Sequence, residues 1–495
     1  VKPATRTSPA RRTKGSHVSV VLDRVSLQDV GNLRIERRGQ PMHVAALLML
    51  EARPLCDAGG TLRLDALRAH IEHRLHLAPR LRQMLFEPPF GLGRPVWVDD
   101  PSFDISEHVR ARAVPAPGGE ADLVATCLAL NEPPLARSRP LWELWFLTGL
   151  DAGTVGMLIR SHHVIADGVA TVAMLAALMD GTAEPQPVTA PSWAPAPRPS
   201  DRDLKADSVR RRRLAVRRAF AWLSRPAAWR STFHATLPAL RASVADGLGP
   251  RTSLNVPVGR RRDLRLVRAD LACAKAAAHG HGAKVNDVVL ASVAGGAREL
   301  LASRGEPVHG LVLRASVPVS LRASGEHARP GNRVGLMVVP LPVGEPDAAL
   351  RLERIARSTT LRKRRPRSTS LGPLPGPDFV QRFVVGLMNH QRVVNLFTSD
   401  VPGPPVTMYF AGARIIEMFQ IPPNQGNVTI SVGALSYAGQ LGFGVVGDAD
   451  ACRDLAIFAR GLARSLDELG ALRLPDASAT RGAAIATAGP RPADP

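Results

Sequence analysis

The segment Ser161-His162-His163-Val164-Ile165-Ala166-Asp167-Gly168 brings a basic side chain, an acidic one and a glycine close together. An imidazole, with a reference pKa of ~6.5, can take a proton from an alcohol near neutral pH, so His163 is a candidate general base. Asp167, four residues on, can orient a backbone or arginine group that shapes the histidine loop. Gly168 has no side chain, which lets the chain turn tightly or pass close to a ligand. A histidine beside a strand is also commonly structural. Metal binding fits poorly, because adjacent histidines point two ways and no glutamate follows at HExxH spacing.

The elements that must hold this segment follow from its flanks. Residues 142–147 and 154–159 read as two strands around a turn at 150–153, and the apolar, alanine-rich stretch 168–179 reads as a buried helix. The histidines therefore lie between a strand and a helix, where a base sits on rigid elements and still faces a cleft. Upstream, 42–51 reads as a buried strand, 64–75 as a helix, 88–101 as loops with one short strand, and 122–130 as a helix stopped by Pro133-Pro134.

A Pro-rich linker spans 181–199, and a basic stretch over 209–223 carries Arg210-Arg211-Arg212-Arg213. In that stretch Val216, Phe220 and Leu223 form one apolar stripe. It reads either as a solvated interdomain helix or as a helix lying on an anionic membrane or lipid droplet. Beyond the linker, helices are expected at 286–301, 347–362 and 450–469, strands at 311–317 and 334–341, a basic loop at 363–367, and a hairpin of 428–435 with 440–446. The divisions are then a disordered basic arm (1–16), a first half (17–180), linker and basic helix (181–253), a second half (254–474) and a disordered tail (475–495).

Composition narrows the function classes. The chain of 495 residues is 45% hydrophobic but only 4% aromatic, so it has a Leu/Val/Ile/Ala core. Its net charge of +21 attracts polyanions, including nucleic acid, lipid headgroups and the phosphates of coenzyme A. Zinc-finger spacing, RNP-type aromatics and a helix-turn-helix signal are all missing, so nucleic acid is not the expected ligand. Cysteines at 56, 127, 273 and 452 make no metal-ligand spacing, which favours a reduced, cytoplasmic protein. No apolar run reaches the ~18 residues of a membrane span, and no secretory signal is read at the N-terminus. A valine at position 1 suggests an incomplete or reannotated start.

The HHxxxDG segment, with its companions, resembles the bacterial wax ester synthase/diacylglycerol acyltransferase family from about Leu22 to Leu469. The companions are Pro41-Met42-His43-Val44, the stretch 94–101 with Phe103-Asp104 and His108-Val109-Arg110, and Pro134-Leu135-Ala136-Arg137-Ser138-Arg139-Pro140-Leu141-Trp142-Glu143. Later come Val285-Asn286-Asp287, the stretch 317–322, Gly331-Asn332-Arg333, Val401-Pro402-Gly403-Pro404-Pro405 and Ser436-Tyr437-Ala438-Gly439. HHxxxDG alone also occurs in peptide-synthetase condensation domains; the ordered set is more specific.

The resemblance implies an α/β fold like chloramphenicol acetyltransferase, with two similar halves and an active-site tunnel between them. It implies acyl transfer from acyl-CoA, as co-substrate and without a bound cofactor, to diacylglycerol or a fatty alcohol. His163 would deprotonate the acceptor hydroxyl directly, without an acyl-enzyme. Asp167 would hold the loop, and His162 is undecided because the HxxxD pattern uses only His163. Asn286-Asp287 matches the family's ND motif, although Asn286 also reads as a helix N-cap. Ser320 and Arg322 are expected to line the cleft. Two departures stand out: Asp400 where asparagine is common, and Ala45-Ala46 where glycines are common, which would narrow the tunnel. Alternatives are another hydroxyl or amine acceptor on the same fold, or a catalytically weak lipid-droplet-binding relative.

Overall fold

The computed structural model describes residues 22–36, 40–165, 168–184, 188–224, 248–320, 334–364 and 389–470. The terminal arms expected at 1–16 and 475–495 lie outside these residues. In chain order the first elements are α1 (Leu27–Glu36), β1 (His43–Glu51), α2 (Leu64–Glu72), β2 (Gln83–Phe86), β3 (Val96–Asp99), β4 (Val109–Ala113) and α3 (Glu120–Asn131). Next come β5 (Trp142–Thr148), β6 (Thr154–His162), α4 (Gly168–Ala176) and α5 (Asp201–Leu223). The later chain forms β7 (Arg262–Asp270), α6 (Leu271–Gly280), α7 (Val285–Ser303), β8 (Leu313–Ser320), β9 (Val334–Leu341) and α8 (Ala348–Arg364). It ends with β10 (Leu396–Pro402), β11 (Tyr409–Phe410), β12 (Ala413–Ile421), β13 (Ile430–Tyr437), β14 (Gln440–Asp448) and α9 (Leu455–Glu468).

Two mixed sheets organise the described residues. The first has the order β11-β12-β1-β6-β5-β4, the second β7-β14-β13-β10-β8-β9, and β2 pairs with β3 apart from both. The sheets do not coincide with the two chain segments. Strand β12, from within 254–474, pairs antiparallel with β1 and so completes the sheet of the first half. That exchange is invisible to a reading that divides the chain linearly, because strand pairing is nonlocal.

Local signals set several boundaries. Ser26 and Asp29 form a capping box at the start of α1, with the Ser26 hydroxyl donating to Asp29 (2.5 Å) and the Asp29 N–H donating back (3.1 Å). Ser200 and Asp203 do the same for α5, which is why that helix begins at Asp201, ahead of the expected 209. The 430–448 hairpin turns through Ala438 and Gly439, both at positive φ, as a two-residue primed turn requires.

The second core is built on α7, whose Val288, Val289, Leu290 and Val293 are fully buried between the sheet and α9. Buried Arg351 of α8 ties these helices together by donating to the Ala291 carbonyl (3.0 Å) and to Ser465 Oγ (2.8 Å). The two sheets meet where β12 lies over the β13–β14 hairpin. There Gly442 and Gly444 leave room for its backbone; a β-carbon at Gly444 would overlap the Gln420 carbonyl oxygen. Arg268 of β7 clamps the same junction with a bidentate pair to Glu417 (2.7 and 3.0 Å) and a contact to Glu120 of α3 (2.7 Å).

This close approach makes a direct prediction. Gly444→Ala should destabilise the protein by about 2 kcal/mol or more through overpacking, read as a lowered melting temperature. Gly59→Ala, where a β-carbon meets only the end of Asp57 at 3.4 Å, should change little. Equal melting temperatures for Gly444→Ala and the parent would contradict the packing.

Candidate active site

Strands β1 and β6 pair so that His43 lies opposite His162. The ladder runs one step further, because the His163 N–H donates to the Met42 carbonyl (2.9 Å). A turn follows, closed by the Ile165 N–H on the His162 carbonyl (2.9 Å). Alternation along the strand then sends the two imidazoles to opposite sides. His162 is fully buried, whereas His163 is partly exposed with its Nδ1 edge shielded. Asp167 lies outside the described residues, and Gly168 opens α4.

Both ring nitrogens of His162 face partners. Its Nδ1 accepts the Val164 N–H (3.0 Å), so its Nε2 carries the proton and faces Glu36 Oε2 at 3.4 Å. His43 faces the other Glu36 oxygen at 3.5 Å, while its Nδ1 donates to the Asn131 carbonyl (3.1 Å). Arg137 donates to Glu36 Oε2 at 2.7 Å. Burial pushes the Glu36 carboxyl up, but His162, His43 and Arg137 outweigh it and hold it well below the usual carboxylate range. Burial lowers the pKa of His162 against the pull of Glu36. Glu36 closes α1, where an acidic side chain opposes the helix dipole; these three partners offset that.

The sequence reading overlooked Glu36. The signal available was the Ser26-x-x-Asp29 capping box, which starts the helix that ends on it.

The other motif blocks brace this arrangement. Arg160 of β6 donates twice to Glu143 of β5 (3.1 and 2.7 Å) and once to the Pro133 carbonyl (2.7 Å), which fastens the 134–143 block to the histidine strand. His108 stacks between Trp142 (4.6 Å) and Phe103 (5.2 Å), and its Nδ1 lies 2.8 Å from the Trp142 carbonyl.

Asn286 is not the expected helix cap. Helix α7 starts at Val285 with Lys284 as the cap residue, so Asn286 falls inside the first turn. Asp287 does the capping: it accepts the Lys284 N–H (2.9 Å) and the Thr359 hydroxyl (2.8 Å) and is buried. Ser320 ends β8 opposite Val334. The Ser320 side chain and all of Arg322 lie outside what is described.

An apolar cavity runs between the sheets, next to β1 and α4. Its walls include Val44 and Ala46 of β1, Leu175 of α4, Met418 of β12, Val401 of β10 and Leu435 of β13. Ala45 and Ala46 both belong to this wall. Asp400, next to Val401, has its pKa pushed up to about 6 by burial. Among the described residues, no group of three or more His, Cys, Asp or Glu is disposed to hold a metal ion. No helix among them is long and apolar enough to cross a membrane.

Comparison with known proteins places this geometry. Residues 25–289 match the wax ester synthase/diacylglycerol acyltransferase catalytic domain, and residues 330–470 match the WS/DGAT C-terminal domain. A putative diacylglycerol O-acyltransferase of Mycobacterium tuberculosis strain H37Rv is 32% identical over 473 residues, covering 90% of this chain and 90% of that protein. The probable diacylglycerol O-acyltransferase tgs1 of the same organism is 31% identical over 465 residues, covering 91% and 96%. The solved wax ester synthase/diacylglycerol acyltransferase from Marinobacter aquaeolei VT8 aligns with a TM-score of 0.64 at 22% identity, over 90% of this chain and 98% of that one. The first condensation domain of the CDA synthetase aligns with a TM-score of 0.58 at 16% identity, over 92% and 100%. The two structures share the α/β acyltransferase fold that the sequence implied, and the domain matches together with the mycobacterial relatives show that the chain belongs to the wax ester synthase/diacylglycerol acyltransferase family.

Proposed function

We propose that the chain transfers a long acyl group from acyl-CoA to the hydroxyl of diacylglycerol or of a fatty alcohol, with His163 as general base. The observation that carries this reading is the division between the two histidines. His162 is buried on Glu36, and His163 follows it, half-buried, at the end of the strand that pairs with β1, whose Val44 and Ala46 line the apolar cavity. His163 takes the proton from the acceptor hydroxyl, and the oxygen attacks the thioester carbonyl. The tetrahedral intermediate collapses with loss of the thiolate, to which the imidazolium returns the proton. No enzyme nucleophile is needed. The apolar lining of the cavity suits hydrocarbon, and Asp167 in this scheme holds the loop.

We extend the proposal to a lipid surface. Helix α5 is anchored at one end by Leu204, fully buried, and by Asp207, which pairs with Arg24 (2.6 Å) and Arg211 (2.9 Å). Its other end exposes Val216 and Phe220 beside Arg213 and Arg217. Apolar side chains flanked by arginines suit an anionic, lipid-covered surface.

Three outcomes test these readings. With palmitoyl-CoA and either acceptor, His163→Ala should lose about 10²–10⁴ of the rate with its melting temperature unchanged; full activity would exclude the base. Glu36→Gln should cost about 1–3 kcal/mol at pH 7 by taking the charged acceptor away from the buried His162 N–H and from Arg137. Glu36 ionises below its ordinary value of 4.5 in the folded state, so its contribution is complete above that pH and disappears as the pH falls further. The stability gap between the parent and Glu36→Gln should therefore narrow in acid; a constant gap would contradict the charged cluster. Lastly, Val216→Asp with Phe220→Asp should weaken binding to phosphatidylglycerol vesicles roughly tenfold or more, measured by co-sedimentation; unchanged binding would dismiss the helix as the contact.

A further inference from the structure

The cavity between β1, α4 and the second sheet is apolar except for two side chains, each with one polar atom that lacks a partner. Thr171, in α4 just after the HHxxxDG segment, is 8% exposed, and its Oγ1 has no hydrogen-bond partner. Gln420 of β12 is likewise 8% exposed; its Nε2 donates to Ser399 Oγ (3.3 Å), and its Oε1 has none. Buried polar groups are nearly always satisfied, so two exceptions lining one cavity point to a ligand that carries oxygen.

Position says which part of the ligand. Gln420 lies opposite Ala46. Ala46 is four residues along β1 from Met42, whose carbonyl takes the His163 N–H, so the offset from His163 is roughly 13 Å at the rise of a strand. The methylenes of an acyl chain or of a fatty alcohol offer nothing to either group. The ester carbonyls of diacylglycerol, close to its free hydroxyl, do.

We propose that Thr171 and Gln420 form a subsite for an ester group of the acceptor, which makes diacylglycerol preferred over a fatty alcohol. The Thr171 hydroxyl donates to the carbonyl oxygen. The Gln420 amide, turned end for end, accepts from the Ser399 hydroxyl through Oε1 and presents Nε2 to the ligand. A buried site built to hydrogen-bond a substrate oxygen rejects the analogue that lacks it. This inference rests on the acyl-transfer reading above.

The test is a competition assay on the full chain, with palmitoyl-CoA and equal concentrations of dipalmitoylglycerol and hexadecanol, products quantified by mass spectrometry. The parent should form mainly triacylglycerol. Thr171→Val and Gln420→Met should each cut the triacylglycerol-to-wax-ester ratio about tenfold or more, through a raised KM for diacylglycerol. Thr171→Ser, which keeps the hydroxyl, should retain the ratio and show that packing alone is not responsible. An unmoved ratio in folded, active Thr171→Val and Gln420→Met overturns the subsite and leaves acyl transfer standing. A shift in acyl-CoA chain preference without a change in ratio assigns the cavity to the donor chain and also overturns it. A parent that forms neither product overturns the acyl-transfer reading and the subsite with it.

Discussion

The site depends on one buried carboxylate. Glu36 gathers His162, His43 and Arg137 from three separate stretches of chain and fixes the end of β6 where His163 emerges. The contacts to the two histidines, at 3.4 and 3.5 Å, are longer than ordinary hydrogen bonds, whereas Arg137 donates at 2.7 Å and supplies the charge attraction. Burial strengthens such an attraction by lowering the local dielectric, and it also makes loss of any partner costly. The Val164 N–H on His162 Nδ1 sets the tautomer that lets Nε2 face the carboxylate. His162 therefore anchors the strand end, and His163 follows it in the turn, half-buried.

A second constraint joins the sheets. Strand β12 belongs to the later chain but pairs with β1, and its backbone presses on glycines of the β13–β14 hairpin. The Arg268–Glu417 pair fastens the same crossing. The apolar cavity takes its walls from β1 and α4 on one side and from β10 and β13 on the other. Strand β12 thus links the histidine-bearing sheet to the sheet that closes the cavity, and Gln420 sits on that link.

Much of this was legible in the sequence, and the gaps have physical causes. Strands β1, β5 and β6 are apolar, and the turn before β6 is polar, so the placement of His162 and His163 could be read from periodicity. Strand β12 could not, because Ala413–Ile421 shows its partner only in three dimensions. Glu36 looked like one more charge in a charged stretch, since a buried carboxylate declares itself through partners far along the chain. The capping role fell to Asp287 because the backbone enters α7 one residue before Asn286. Thr171 and Gln420 were hidden for a related reason: an unpartnered polar atom is a property of packing, and no local pattern encodes it.

The central claim is that His163 exchanges the proton and His162 does not. Imidazole rescue tests it most directly. Acyl transfer from palmitoyl-CoA is measured for His163→Gly and for His162→Gly, each checked for folding, with and without added imidazole. The account predicts that imidazole restores turnover to His163→Gly, in proportion to its unprotonated fraction as pH is varied, and restores none to His162→Gly. Rescue of His162→Gly with none for a folded His163→Gly would contradict it.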